Sequence, residues 1–222
     1  MKTLTKYLNE RLVINKDYND LHTCAPTSWE ELRKIIKDRY YKLGHGTKDT
    51  PIDFNDVDVS NIDSFYNEDD NKGIFDGTKF EYIDISDWNV SNVKDMRFMF
   101  YECEQLKSVG DLSNWNVSRV KHMRSIFYEC KQLKSVGDLS NWNVSMVKLM
   151  NSIFYECEQL KYVGDLSNWN VSNVRSMSDM FYRCEQLKSV GDLSKWDVSN
   201  VKFMNNMFDN SGITNIPNWY KK

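Results

Sequence analysis

The sequence predicts an α/β solenoid of 27-residue coils, each contributing a short parallel strand and a short helix, with an α-helical cap at its front end. Two ladders carry that prediction. Cys103, Cys130, Cys157 and Cys184 lie 27 residues apart, and Trp88, Trp115, Trp142, Trp169 and Trp196 share the period. The third observation is near-identity between units. Residues 88–114 read WNVSNVKDMRFMFYECEQLKSVGDLSN, and the units starting at Trp115 and Trp142 each differ from the one before at five positions. A unit this small cannot bury its apolar face alone, so neighbours must stack to share one core.

The elements follow from spacing within a unit, counted with the tryptophan as position 1. Val93, Met96, Phe100 and Cys103 step by three, four and three, the spacing of one helix face, and Ser91 is a suitable N-cap. Leu106-Lys-Ser-Val109, closed by Gly110, suits a strand pairing in parallel with its copies about 4.8 Å away. Five coils then give a rod about 25 Å long on the strand side. The Trp, Met, Phe and Cys columns read as core, because each coil offers a single thiol with no His or second Cys nearby to complete a metal site.

The ends depart from the repeat. Residues 1–51 form an N-terminal arm and helical cap: Ser28-Trp-Glu-Glu31 is a capping box, and Leu32, Ile35, Ile36, Tyr40 and Leu43 continue at helical spacing to Gly44, predicting a helix over about 28–43. Residues 1–27 show no periodicity and read as an irregular arm. Residues 52–87 form a degenerate first coil, since Asp58-Val-Ser-Asn-Ile62 echoes Asn89-Val-Ser-Asn-Val93, with a loop inserted around Asn67–Gly77. The five tandem repeats occupy 88–208. Residues 209–222 form a C-terminal cap, where Ile213-Thr-Asn-Ile216 echoes Leu187-Lys-Ser-Val190 before Pro217 and Trp219 end the sheet.

Composition narrows the function. Hydrophobic residues at 41% and aromatics at 14% supply a core and argue against disorder. Acidic residues (32) slightly outnumber basic ones (29) and the two interleave along the chain. Nucleic acid is therefore not the expected partner, because a phosphate-binding face needs a local excess of Lys and Arg. In Met1–Arg11 charges break every apolar run, so no secretory signal is legible, and no membrane span follows. The expected location is cytoplasmic, with the five cysteines reduced.

Trp196-Asp-Val-Ser-Asn-Val201 and Phe181-Tyr-Arg-Cys-Glu-Gln-Leu-Lys-Ser-Val190 resemble the BspA-like leucine-rich repeat proteins, in particular the mycoplasma-lipoprotein-type repeats with a W-D-V-S-N-V-x-x-M-x-x-M-F signature. The resemblance covers about residues 52–219. It implies a right-handed leucine-rich-repeat-type solenoid used for protein or cell-surface binding, and it transfers no catalytic residue. Many members are exported, so association with a cell surface or a virion is the alternative location. The block Leu8-Asn-Glu-Arg-Leu-Val-Ile-Asn15 also resembles segments preceding such repeats in gut-bacterial and phage-encoded proteins.

No catalytic constellation or cofactor motif is visible. His22, His45 and His122 are far apart, and the recurring serines lack a base and an orienting group. Asn67-Glu-Asp-Asp-Asn-Lys-Gly73 falls short of a calcium loop, with its glycine one place late and no closing acid. It reads as a solvated loop.

Comparison between units is more informative. The fifth position reads Asn92, Arg119, Met146, Asn173, Asn200; the eighth, Asp95, His122, Leu149, Ser176, Phe203; the eleventh, Phe98, Ser125, Ser152, Asp179, Asn206. This variable strip on a constant frame is either a recognition surface or the packing seam between consecutive helices. Asp95 beside Arg124 would suit the seam. A strip of a few hundred square ångströms falls below the roughly 800 Å² per partner of a standard interface, so a partner would also touch neighbouring rows. Two of those rows are constant and charged: Lys107, Lys134, Lys161 and Lys188, and Asp111, Asp138, Asp165 and Asp192, expected to neutralise one another. Tyr162 alone breaks the Ser108, Ser135, Ser189 row and is the expected anchor if the strand face binds. These features predict a noncatalytic protein-interaction module, monomeric, with an unidentified protein partner. The alternative is a structural or assembly subunit that self-associates end to end.

Overall fold

Each repeat divides its backbone hydrogen bonds between two directions. In the computed structural model, which describes residues 24–221, i→i−3 turns run within a coil: Val93 N–H donates to Val90 O, Met99 to Met96, Cys103 to Phe100 and Leu106 to Cys103. Between coils, the N–H groups of Met96, Phe98, Phe100 and Glu102 donate to the carbonyls of His122, Arg124, Ile126 and Tyr128 at 2.8–3.1 Å. The same four bonds recur from Met123, Met150 and Met177 onward. The block Leu8–Asn15, His22 and most of the arm expected over 1–27 lie outside the described residues.

This division overturns the short helix expected over Val93–Cys103. An α-helix sends every N–H to the carbonyl four residues back, whereas here alternate N–H groups leave the coil. The spacing of three, four and three arises instead because successive i→i−3 turns also return every third or fourth side chain inward, and Val93, Met96, Phe100 and Cys103 are all buried. Ser91 caps nothing. Its N–H and hydroxyl both donate to Asn89 Oδ1, at 3.2 and 2.7 Å, in an Asx turn.

Left-handed residues keep the turns from winding into a helix. Ten non-glycine residues, at positions 11 and 15 of five coils, have φ of 54–58°: Phe98 and Glu102, then Ser125 and Glu129, Ser152 and Glu156, Asp179 and Arg183, Asn206 and Asn210. Each costs about 1 to 2 kcal/mol. In the first four coils both residues donate their N–H to the following coil, so the strain accompanies a bond that stacking provides.

Two parallel tracks result. The strand expected around Leu106–Val109 is reduced to isolated parallel bridges, Tyr82 with Ser108 and Ser135 with Tyr162, because each coil pairs there through a single residue. A second track runs through the eighth position, bridging Ser64, Asp95, His122, Leu149, Ser176 and Phe203 in turn. Between the tracks the core is one continuous cluster. Phe75, Phe100, Phe127, Phe154, Phe181 and Phe208 stack at 4.9–5.9 Å. The indole N–H groups of Trp115, Trp142, Trp169 and Trp196 donate to Ile85, Leu112, Leu139 and Leu166 carbonyls one coil back, at 2.9–3.2 Å. The thiols of Cys103, Cys130, Cys157 and Cys184 donate likewise to Phe75, Phe100, Phe127 and Phe154 carbonyls, at 3.0–3.2 Å.

At the front, α1 (Trp29–Leu43) is capped by Ser28, whose side chain accepts from Glu31 N–H. It buries Leu32, Ile36 and Arg39. Arg39 donates to Asp53 O and grips Asp56 through two bonds of 2.7 Å while lying 4.8 Å over the Phe54 ring. Arg33 reaches the carbonyls of Ile74 and Asp76. Strands β1 (Ile52–Asp53) and β4 (Ile83–Asp84) pair in parallel. The segment from Asn67 to Gly73 is not an open loop: β2 (Tyr66–Asn67) and β3 (Lys72–Gly73) make an antiparallel hairpin. At the far end Trp219 stacks on Trp196 at 6.3 Å and donates to Leu193 O at 2.8 Å.

Two measurements test this frame. Gly164 has φ of 91°, and a Cβ there would strike Asp138 Oδ1 of the preceding coil. Gly164→Ala should cost about 2 kcal/mol, while Ser152→Gly, relieving a left-handed serine, should raise stability by about 0.5 to 1 kcal/mol; unchanged melting in both would refute the turn geometry. Burial raises the Cys103 thiol to about 12 and the other three column thiols well above the usual range. The native protein should therefore react rapidly with Ellman's reagent only at the half-buried Cys24, the remaining four thiols appearing on unfolding.

Candidate interaction surface

The variable positions fall into three different settings. At the fifth position Asn92, Asn173 and Asn200 each donate a side-chain N–H to the carbonyl of Ser60, Ser145 and Ser172 in the preceding coil, all at 2.8 Å. Asparagine there is a tie between coils. Arg119 instead donates to Asn92 Oδ1 at 3.1 Å. Met146 makes no such bond, and 47% of its surface stays exposed.

The eighth position supplies the rungs of the second track, so its side chains stand side by side. Asp95, His122, Leu149 and Ser176 are half-buried, while Phe203 is 61% exposed. Asp95 pairs with Arg97 of its own coil at 2.6 Å rather than with Arg124, whose guanidinium lies 5.3 Å over the Phe98 ring.

The eleventh position belongs to the turns. Phe98 packs against Tyr66 and Tyr101, Ser125 is buried, Ser152 is half-buried, and Asp179 accepts from Asn206 at 3.0 Å. The structure thus makes Leu149 a rung of the track, leaves Met146 exposed three residues before it, and places the eleventh row at the left-handed turns.

Tyr162 lies on the other track, 49% exposed, and its hydroxyl donates to Asp138 Oδ2 at 2.9 Å. The constant charged rows do not pair with each other as expected. Lys107 reaches Glu81 at 2.5 Å and Lys188 the carbonyl of Glu185. Asp111, Asp138, Asp165 and Asp192 accept the N–H of the serine two residues on. Those bonds hold the Asp138 and Asp192 carboxyls below their ordinary range. Among the described residues no three His, Cys, Asp or Glu side chains gather so as to hold a metal ion, and no helix is long and apolar enough to cross a membrane.

One row was missed in the sequence. The seventh position reads Lys94, Lys121, Lys148, Arg175 and Lys202, all exposed and each joined to the previous coil by a backbone bond. Reading the repeats column by column, rather than as net charge, would have found it.

His122 sits on its rung between Asp95 and Leu149, with a buried Nδ1 that has no hydrogen-bond partner among the described residues. Burial pushes its pKa below the ordinary histidine range, Asp95 opposes that shift, and Arg97, Lys148 and Lys121 add to it. The unfolded chain therefore binds the proton more readily, and the stability due to a neutral His122 is lost as pH falls below about 6.5. His122→Leu, which copies the next rung, should shrink the drop in melting temperature between neutral and mildly acidic buffer; an identical drop would refute this placement.

The chain matches the model of the family described as "Mycoplasma protein of unknown function, DUF285" over residues 48–159 and again over 131–220. No match is found among curated proteins. Among solved structures it is similar to a leucine-rich repeat protein from Eubacterium ventriosum ATCC 27560, with 18% identity and a TM-score of 0.44 over 67% of this chain and 36% of the other. It is also similar to a leucine-rich repeat protein from Bacteroides ovatus ATCC 8483, with 17% identity and a TM-score of 0.25 over 62% and 47%. The chain thus spans less than half the length of either structure. The two family matches overlap and together take in both the degenerate first coil and the repeats, so the chain belongs to the DUF285 family.

Proposed function

We propose that the protein is a noncatalytic protein-interaction module whose recognition surface lies on the eighth-position track and the exposed side chains beside it. Met146 carries the reading. It stands where Asn92, Asn173 and Asn200 tie adjacent coils, gives up that bond, and remains 47% exposed. The substitution costs the fold an interaction and returns no burial, a local inconsistency of the kind found at functional sites. Leu149 follows three residues later as a half-buried rung, and Phe203, a rung of the same track in the last repeat, is 61% exposed. Tyr162 is a separate aromatic exposure suited to anchoring a partner on the first track.

A second reading, a structural subunit that self-associates end to end, draws on the fifth repeat. Val198, Val201 and Met204 are only partly buried there, while their counterparts Val171, Val174 and Met177 are fully enclosed.

Met146→Asp with Leu149→Asp should abolish partner capture from the native source while shifting the melting temperature little; a collapse in melting temperature would show that both residues are core. Met146→Asn should raise stability by about 0.5 to 1.5 kcal/mol by restoring the tie, and weaken capture. Light scattering over a concentration series separates the two readings, since growth in mass with concentration favours assembly and a constant monomer mass disfavours it.

A further inference from the structure

Charges that interleave along the sequence separate by face once the coils stack. Positions 4 to 10 of the second to fifth repeats, residues 118–124, 145–151, 172–178 and 199–205, contain no Asp or Glu. They present Arg119, Lys121, Arg124, Lys148, Arg175 and Lys202, all exposed. Among the described residues none of the six is in an ion pair. A chain of net charge −3 therefore carries a wholly basic strip, with an excess of acid elsewhere.

The seventh-position cations cannot spread apart at their base. Lys121 N–H donates to Lys94 O, Lys148 to Lys121, Arg175 to Lys148 and Lys202 to Arg175, at 2.8–2.9 Å, which sets a spacing of about 4.8 Å along the track. Like charges that close lie within one Debye length, about 8 Å at physiological salt, and an anionic partner relieves their repulsion. Toward the front the same track is neutral: Asp63 pairs with Lys94 at 3.0 Å and Asp95 with Arg97 at 2.6 Å. The positive field begins at the second repeat, and apolar Met146 and Phe203 stand exposed within it.

We propose that this strip docks an acidic amphipathic helix of a partner protein, lying along the solenoid axis with its carboxylates over the seventh-position cations; this rests on the interaction reading above. Side chains at i and i+4 of a helix are about 5–6 Å apart, close to the rung spacing, so successive carboxylates meet successive cations. Apolar residues flanking the acidic stripe cover Met146 and Phe203. A phosphodiester chain offers these two nothing, and it meets acidic surface beyond the strip. A lipid bilayer needs a continuous face of apolar groups that reach past the headgroups, whereas exposed Met146 and Phe203 are two coils apart and Leu149 between them is half-buried.

The test uses the full chain and a fluorescein-labelled amphipathic peptide with Glu at every fourth position, its Gln counterpart, an oligothymidylate, and phosphatidylserine-containing vesicles. The Glu peptide should bind at least about tenfold more tightly than the Gln peptide, with affinity falling as salt rises. Charge reversal at Lys121, Lys148, Arg175 and Lys202 should remove that preference, and their replacement by Gln should weaken it should the reversed chain fail to fold. Lys134→Glu with Lys161→Glu, on a different row, should leave it intact. Equal affinity for both peptides, equal loss in the control variant, or tighter binding of oligothymidylate or vesicles overturns the proposal. A charge-reversed chain that still captures the native partner, where Met146→Asp with Leu149→Asp does not, sinks the acidic-helix inference and leaves the interaction module standing; capture unaffected by either set sinks both.

Discussion

The bond from alternate N–H groups of one coil to the carbonyls of the next is the constraint on which the rest of the structure depends. A 27-residue turn of chain has only tight turns and, in three coils, one three-residue 3-10 helix of its own in which to satisfy its backbone, and a buried unpaired amide costs about 1 to 3 kcal/mol. Stacking supplies the partners, four of them in one alternating run. The left-handed residues at positions 11 and 15 are the local cost of aiming those groups outward, and they are tolerated because the neighbouring coil over-determines them.

The same logic extends to side chains. Trp and Cys recur not only as filler for the core but as donors, each closing a carbonyl of the coil behind. Burial keeps the thiols protonated, as donation requires. Asn and Asp at positions 2 and 24 hold the corners as Asx turns, and the glycine at position 23 is needed because the Asp of the previous corner occupies the place of its Cβ. Little of the frame is free to vary without loss, which is why the departures at Met146 and Tyr162 stand out.

Regularity also organises charge. A column of identical residues becomes a row about 4.8 Å in pitch, so a single basic column turns into a strip of potential even in a slightly acidic protein. The front of that strip is neutralised by Asp63 and Asp95, which gives the surface a direction along the rod. Met146 and Leu149 lie within it, so the recognition proposed above would combine charge and apolar contact on one face.

What the sequence determined by itself was the period, the core columns, the front helix and the positions that depart from consensus, since all of these depend on residue identity at fixed spacing. Val93, Met96, Phe100 and Cys103 were legible as buried for that reason. Whether they sat on a helix was not, because helix and consecutive tight turns place side chains inward at the same intervals and differ only in where the N–H groups go. That choice belongs to the neighbouring coil. The stack likewise decided that Asn92 is a tie and Met146 a departure from it, that Asp95 pairs with Arg97 and not Arg124, and that the seventh position forms a cationic row: each depends on which atoms of the next coil lie opposite, and that register exists only once the coils are stacked.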